Sequence, residues 1–190
     1  MSQKEIAVDV FPAFPTPIII REIPNFHKVK NDLVKDVYEH DDYEVANIFN
    51  LLKFQKYFPL IYDEIETSLS PVIDDLNRIS PSSIVRSDVS IIKPNGYIEP
   101  RVRSEYDMSG ILVVDCPFRL SGDFVFLSQH HNDFFHRILS KNMKDMYFSS
   151  DVRIPPADGR MLIFPSTLTC YGETNKTDMD KIVISFDIKL

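Results

Sequence analysis

"IIKPNGYIEPRVRSEYDMSGILVVDCP", residues 91–117, carries the decision about the fold. It closes one apolar run at Ile91-Ile92, turns at Asn95-Gly96, and reopens with Ser109-Gly110 ahead of the run Ile111 to Val114. An Asn-Gly pair takes left-handed backbone at little cost, so it marks a tight turn between strands. Between that turn and the serine, Glu99, Arg101, Arg103 and Glu105 share one strand parity, opposite Ile98 and Val102. The pattern predicts a strand whose charged face is self-complementary along its length, and it equally fits an ordinary strand facing solvent.

The neighbouring segments have the same texture. "IVRSDVSIIK" precedes the stretch, and "DFVFL", "GRMLIF", "STLTCYG" and "KIVISFDIKL" follow it, each short, apolar or alternating, and bounded by turn residues. Strands of this length and spacing predict an antiparallel barrel or a double-sheet jelly roll over residues 81–190. One connection is too long for a hairpin: "SQHHNDFFHRILSKNMKDMYFSSDVRIPPAD" predicts an insert at about 128–157, helical around Phe134 to Tyr147.

Residues 1–80 read differently. "IAVDVF" (Ile6 to Phe11) predicts a strand, "PAFPTP" a break, and "IIIRE" (Ile18 to Glu22) a second strand. With Asn25 as N-cap, Phe26, Val29, Leu33 and Val37 fall on one face of a helix over 26–39. A second helix starts near Pro59, buries Ile61, Ile65 and Leu69, meets Pro71 as a stop or kink, and runs to about Asn77. The expected fold class is mainly β with N-terminal α-helices, in one domain of 190 residues, the helices bracing one face of a double-stranded β-helix, cupin-like in outline.

Composition narrows the function classes. The chain is 44% hydrophobic and carries 28 acidic against 21 basic residues, a net charge of −7. There is no basic field for a phosphate backbone, so nucleic acid is not an expected partner. No apolar stretch approaches the ~18 residues of a membrane span, and no leader pattern is present, so neither is a membrane. Cys116 and Cys170 lie far apart and form no CxxC pair, which predicts a reducing compartment and no thiolate metal site.

Four motifs carry a resemblance. "FPTPIII" (14–20), the 91–117 stretch, "PADGRMLIFPSTLTCYGETN" (156–175) and the terminal "KIVISFDIKL" follow one another as in the 2-oxoglutarate and Fe(II)-dependent oxygenases. The chain resembles a branch of short sequences from bacteria and phages, cyanophages above all. The resemblance implies a 2-His-1-carboxylate facial triad with open iron positions. At those positions stand Arg101, Arg103 and Cys170; an arginine stays protonated and has no lone pair to give a metal, and a lone thiolate suits Fe(II) poorly. Lys181 replaces the arginine that grips the distal carboxylate of 2-oxoglutarate, and Val183 replaces a hydroxyl-bearing residue.

These substitutions lead to a catalytically degenerate scaffold with no cofactor, in which the guanidinium groups occupy the space of the cation and are neutralised by acids. The resemblance further suggests a structural or interaction protein of a phage virion, in its tail, neck or baseplate, partnered by other virion proteins or by itself, and located in the host cytoplasm or the virion. Arg101, Arg103 and Lys181 together offer another reading, a pocket for an anion such as 2-oxoglutarate without metal.

The alternative is an active Fe(II) and 2-oxoglutarate dioxygenase of peptide or prolyl hydroxylase type, with ligands such as His130 or His131. His130, His131 and His136 are the one histidine cluster; His131 and His136 are poorly placed on a common helical face, and Asp133 alone stands near at a ligand spacing, so a surface role is the expectation. Phe134, Phe135, Tyr147 and Phe148 read as packing residues or a partner-facing patch, and Cys170, with only His27 and His40 in the helical part, as a buried structural cysteine. Asp107 and Asp115 have no histidine at the needed offset.

Overall fold

The computed structural model describes residues 9–13, 16–39, 47–73, 80–117, 119–127 and 151–190. In chain order the strands and α-helices are β1 (Asp9–Ala13), β2 (Thr16–Glu22), α1 (His27–Tyr38), α2 (Leu52–Gln55), α3 (Phe58–Leu69), β3 (Ile84–Ile92), β4 (Ile98–Arg101), β5 (Met108–Asp115), β6 (Phe124–Leu127), β7 (Asp151–Ile154), β8 (Arg160–Pro165), β9 (Thr169–Gly172) and β10 (Lys181–Ile188). They form a six-stranded sheet, β1-β2-β8-β5-β10-β3, and a four-stranded sheet, β4-β9-β6-β7, antiparallel throughout. The two sheets make a jelly roll.

Strand alternation separates two cores. From β10, Ile182, Ile184, Phe186 and Ile188 face the helices, where they pack with Met161 and Ile163 of β8, Leu33 and Val37 of α1, and Ile61, Ile65 and Leu69 of α3. Val183 faces the other way, into a second cluster between the sheets with Ile111, Val113, Phe124, Phe126, Leu162, Phe164 and Cys170. The central strands β5, β8 and β10 of the large sheet are thus covered on both faces, which is why β5 reads as a continuous apolar run. At ~25 cal/mol per Å² of apolar surface, these two clusters are the main stabilising term. Gly110 is required here: a Cβ on it would lie 2.1 Å from Cζ of Phe186, its partner across β5 and β10.

Several expectations need correction. Asn25 does not cap α1; it takes left-handed backbone (φ 57), and the helix begins after Phe26 with no side-chain cap. Asn is favoured in both roles, and here the turn wins. The break at "PAFPTP" is shorter than expected, since Pro12-Ala13 closes β1 and Thr16-Pro17 opens β2. Prolines are tolerated there because the β1–β2 hairpin lies at the sheet edge. α3 ends at Leu69, two residues ahead of Pro71, while 74–79 lie outside the described residues. The 128–157 insert contains strand β7, which pairs with β6; the helix expected around 134–147 lies outside the described residues.

The Asn95-Gly96 turn forms, with Asn95 at φ 64 and the Gly96 amide donating to the Lys93 carbonyl at 2.8 Å. It does not make a hairpin. β3 closes the large sheet and β4 closes the small one, so the turn carries the chain from one sheet to the other. Among the described residues no helix is long and apolar enough to cross a membrane.

Candidate functional site

The charged stretch leaves the strand at Arg101, and this decides where its side chains go. Arg101 opposes Cys170 across β4 and β9. Arg103, beyond the strand end, is held by its backbone: its amide donates to the Ser166 carbonyl at 2.9 Å and its carbonyl accepts from the Tyr106 amide at 3.1 Å. Ser166 secures the same loop through its amide, which donates to the Asp107 carbonyl at 3.2 Å, and its hydroxyl, which donates to the Tyr106 carbonyl. The Asp107 amide ties the loop to Ile188 at the end of β10, at 3.1 Å.

So fixed, the Arg103 side chain enters the space between the sheets. Its Nη1 donates to Oδ2 of Asp187 and its Nη2 to Oδ2 of Asp88 at 3.3 Å. Asp187 is 0% exposed, on the inward face of β10; its other oxygen accepts from the Ser109 hydroxyl at 2.7 Å. The carboxylate therefore has a cation on one oxygen and a hydroxyl on the other, which a buried charge requires. The expected ladder of Glu99, Arg101, Arg103 and Glu105 does not form: the strand ends too early for a shared face, and Arg103 takes its acids from β3 and β10.

Arg101, Arg103 and Cys170 line one cavity with Ile98, Ser109 and Asp187. Its volume is about 40 Å³, room for a few waters. The Cys170 thiol is buried, and burial pushes it up, out of the thiolate range at neutral pH, against a smaller opposing effect of Lys181. Arg101 differs from its neighbour in being exposed, with no ion pair among the described residues.

Lys181 does not line this cavity. It lies on the same face of β10 but at the far end of the strand, 1% exposed, with Nζ donating to the carbonyls of Gly122 at 2.7 Å and Ser121 at 3.3 Å. The ammonium also sits 4.2 Å from the centre of the Phe124 ring. Burial pushes its pKa down to about 8, with Cys116 and Asp123 resisting the fall. The geometry thus joins two of the three cations considered for an anion pocket and leaves the third apart.

The donors at the triad positions do not fit Fe(II). Two are guanidinium groups, the third is a thiol held neutral by burial, and the nearby carboxylates Asp88 and Asp187 are already bridged by Arg103. Among the described residues no group of three histidines, cysteines or acids could hold a metal ion. His130, His131 and His136 lie outside the described residues. The partners Asp88 and Asp187 escape sequence reasoning; the one signal for Asp187 is an acid at the inward parity of an otherwise apolar strand.

The fold is a jelly roll shared with solved 2-oxoglutarate and Fe(II)-dependent oxygenases. Among solved structures, the chain is similar to a prolyl-4-hydroxylase of Pseudomonas putida, with 6% identity, a TM-score of 0.58, and coverage of 98% of this chain and 99% of that one. It is also similar to iron-bound HygX of Streptomyces hygroscopicus (9% identity, TM-score 0.61, 90% and 81% covered) and to a 2OG-Fe(II) oxygenase family oxidoreductase of Burkholderia pseudomallei (12%, 0.52, 98% and 74%). No family profile matches the chain, and no curated protein sequence does.

Proposed function

We propose that the chain is a catalytically degenerate oxygenase-like scaffold that works as a structural or interaction protein. One observation carries the reading: at a position where the superfamily resemblance implies an iron ligand, Arg103 is inserted between Asp88 and Asp187. The guanidinium supplies the positive charge that buried Asp187 needs and also reaches Asp88, which Arg86 flanks at 3.6 Å, so a cation occupies this place without a divalent ion. Assignment to a phage virion, and with it to the host cytoplasm or virion, rests on the sequence resemblance alone, and partners would be other virion proteins or further copies of the chain.

The test is metal content together with turnover. The full chain is purified, loaded with Fe(II) under reducing conditions, and assayed for succinate released from 2-oxoglutarate. No stoichiometric iron and no succinate above blank is the expected result. One tight Fe(II) per chain with succinate release would restore the alternative, an active dioxygenase of peptide or prolyl hydroxylase type with ligands such as His130 or His131.

A further inference from the structure

We infer that the seam between β3 and β4 binds an extended segment of another polypeptide, laid along the two open strand edges with an acidic side chain on Arg101. This deepens the interaction reading above and rests on it.

The seam follows from the sheet topology. β3 and β4 are consecutive in the chain and joined by the Asn95-Gly96 turn, yet each closes a different sheet, so among the described strands each pairs with one neighbour. Their edges border a groove of about 490 Å³, lined by Ser90 to Lys93 from one wall and by Gly96 to Glu99 and Arg101 from the other. An open edge presents unpaired amides and carbonyls, which another extended chain can satisfy.

The edge of β3 is not open throughout. Asn47 bridges to Ser87 in parallel pairing, its Nδ2 donates to the Ile84 carbonyl at 2.8 Å, and its Oδ1 accepts from the Ser87 hydroxyl at 2.5 Å. The first half of the edge is thereby blocked; at its far end the Ile92 carbonyl accepts from Asn175 Nδ2 at 3.1 Å, and the stretch between, at Ser90 and Ile91, borders the groove. Tyr97 stands over it, 60% exposed, a large apolar surface with a polar tip of the kind that anchors bound segments.

Charge sets the chemistry of the occupant. Arg21, Arg86, Arg103, Arg153 and Arg160 each lie within ion-pair distance of a carboxylate. Arg101 alone among the described arginine side chains has none, although the chain carries a net charge of −7. It lines both the groove and the cavity behind it. Lys93, on the opposite wall, is already engaged by Asp180 at 2.7 Å. Glu99 lines the same wall two residues away, so the seam offers one available guanidinium, a fork that suits a carboxylate, beside one exposed acid.

The experiment is a selection of displayed random dodecapeptides on the full chain in EDTA, followed by amide chemical-shift mapping of the enriched peptides on wild type and Arg101→Gln. Arg101 is exposed and unpaired, so the variant retains the fold, which circular dichroism checks. Expected is a consensus of an aspartate or glutamate flanked by β-branched residues, shifts confined to Ser90–Lys93 and Gly96–Arg101, and an affinity loss of ~tenfold or more in Arg101→Gln. The inference is overturned if no acidic consensus emerges, if Arg101→Gln binds equally, if the shifts map elsewhere, or if free glutarate reproduces them at the same concentration. Succinate release in the turnover assay would overturn the metal-free reading without touching this result, so the two failures are distinguishable.

Discussion

Arg103 and Asp187 stand 84 positions apart in the chain and meet between the two sheets, the guanidinium donating to a carboxylate that solvent does not reach. The pair joins the loop after β4 to the end of β10, and Asp88 extends it to β3. It is the electrostatic centre of the site, and two of the predictions turn on it.

Removing the cation alone leaves Asp187 buried with only the Ser109 hydroxyl. Arg103→Ala is expected to lower stability by about 3–5 kcal/mol, read from urea unfolding. Adding Asp187→Asn should recover part of that loss, because the amide needs no counter-charge. Equal stability of Arg103→Ala and wild type would mean that the pair contributes nothing to the fold.

The triad positions can be rewritten together. Arg101→His, Arg103→Asp and Cys170→His replace two guanidiniums and a neutral thiol by ligands that suit a divalent ion, beside the Asp187 carboxylate already in the cavity. The triple variant is expected to bind one Ni(II) per chain, by calorimetry, and to melt at a higher temperature with the ion than without it. Absence of binding in a folded variant would count against the alignment of these positions with the superfamily triad.

Gly110→Ala tests the closeness of β5 and β10. The added methyl would meet the Phe186 ring head-on, an overpacking expected to cost about 1–3 kcal/mol in urea unfolding. Phe186→Leu in the same chain should return part of the loss, and independent, additive effects would refute the contact.

Lys181 gives the chain a pH dependence of definite sign. Its folded pKa, pushed down to about 8 by burial, lies below the ordinary value of 10.5. Between those values the unfolded chain holds a proton that the folded chain has released, so this residue's contribution to stability rises with pH across that window and is at its lowest below about 8. The buried Cys170 thiol acts in the opposite sense once an unfolded thiol ionises, near its ordinary value of 9.0. The measurement is therefore a difference. The stability of Lys181→Met relative to wild type should decline from pH 8 to pH 10 by up to ~1.4 kcal/mol per pH unit, and a constant difference would show that Lys181 does not titrate there.

Much of the fold was legible in local patterns. Ile61, Ile65 and Leu69 recur at helical spacing and all three are buried, and the alternation of β10 separates its two cores without error. The misses have local causes as well. β7 is four residues long and sits beside Pro155-Pro156, so its signal merged with the long connection before it. Asn25 satisfies a turn and a cap equally on paper. The site was half legible: the resemblance selected Arg101, Arg103 and Cys170, which share one cavity, while parity along "EPRVRSE" gave Arg103 the wrong acids. Parity describes a residue only while the strand lasts, and no local rule reaches Asp88 and Asp187.

The position of β10 governs how the chain can reach this structure. It lies between β5 and β3, so both of those strands wait, unpaired on that side, until residues 181–188 have been synthesised. β4 waits in the same way for β9, its sole neighbour in the small sheet. Most native pairings therefore join segments distant in sequence, a topology that folds slowly and after synthesis rather than during it. In the interval the strands on either side of the unfilled centre are exposed to one another's copies, so the yield of native protein should fall as its concentration during refolding rises.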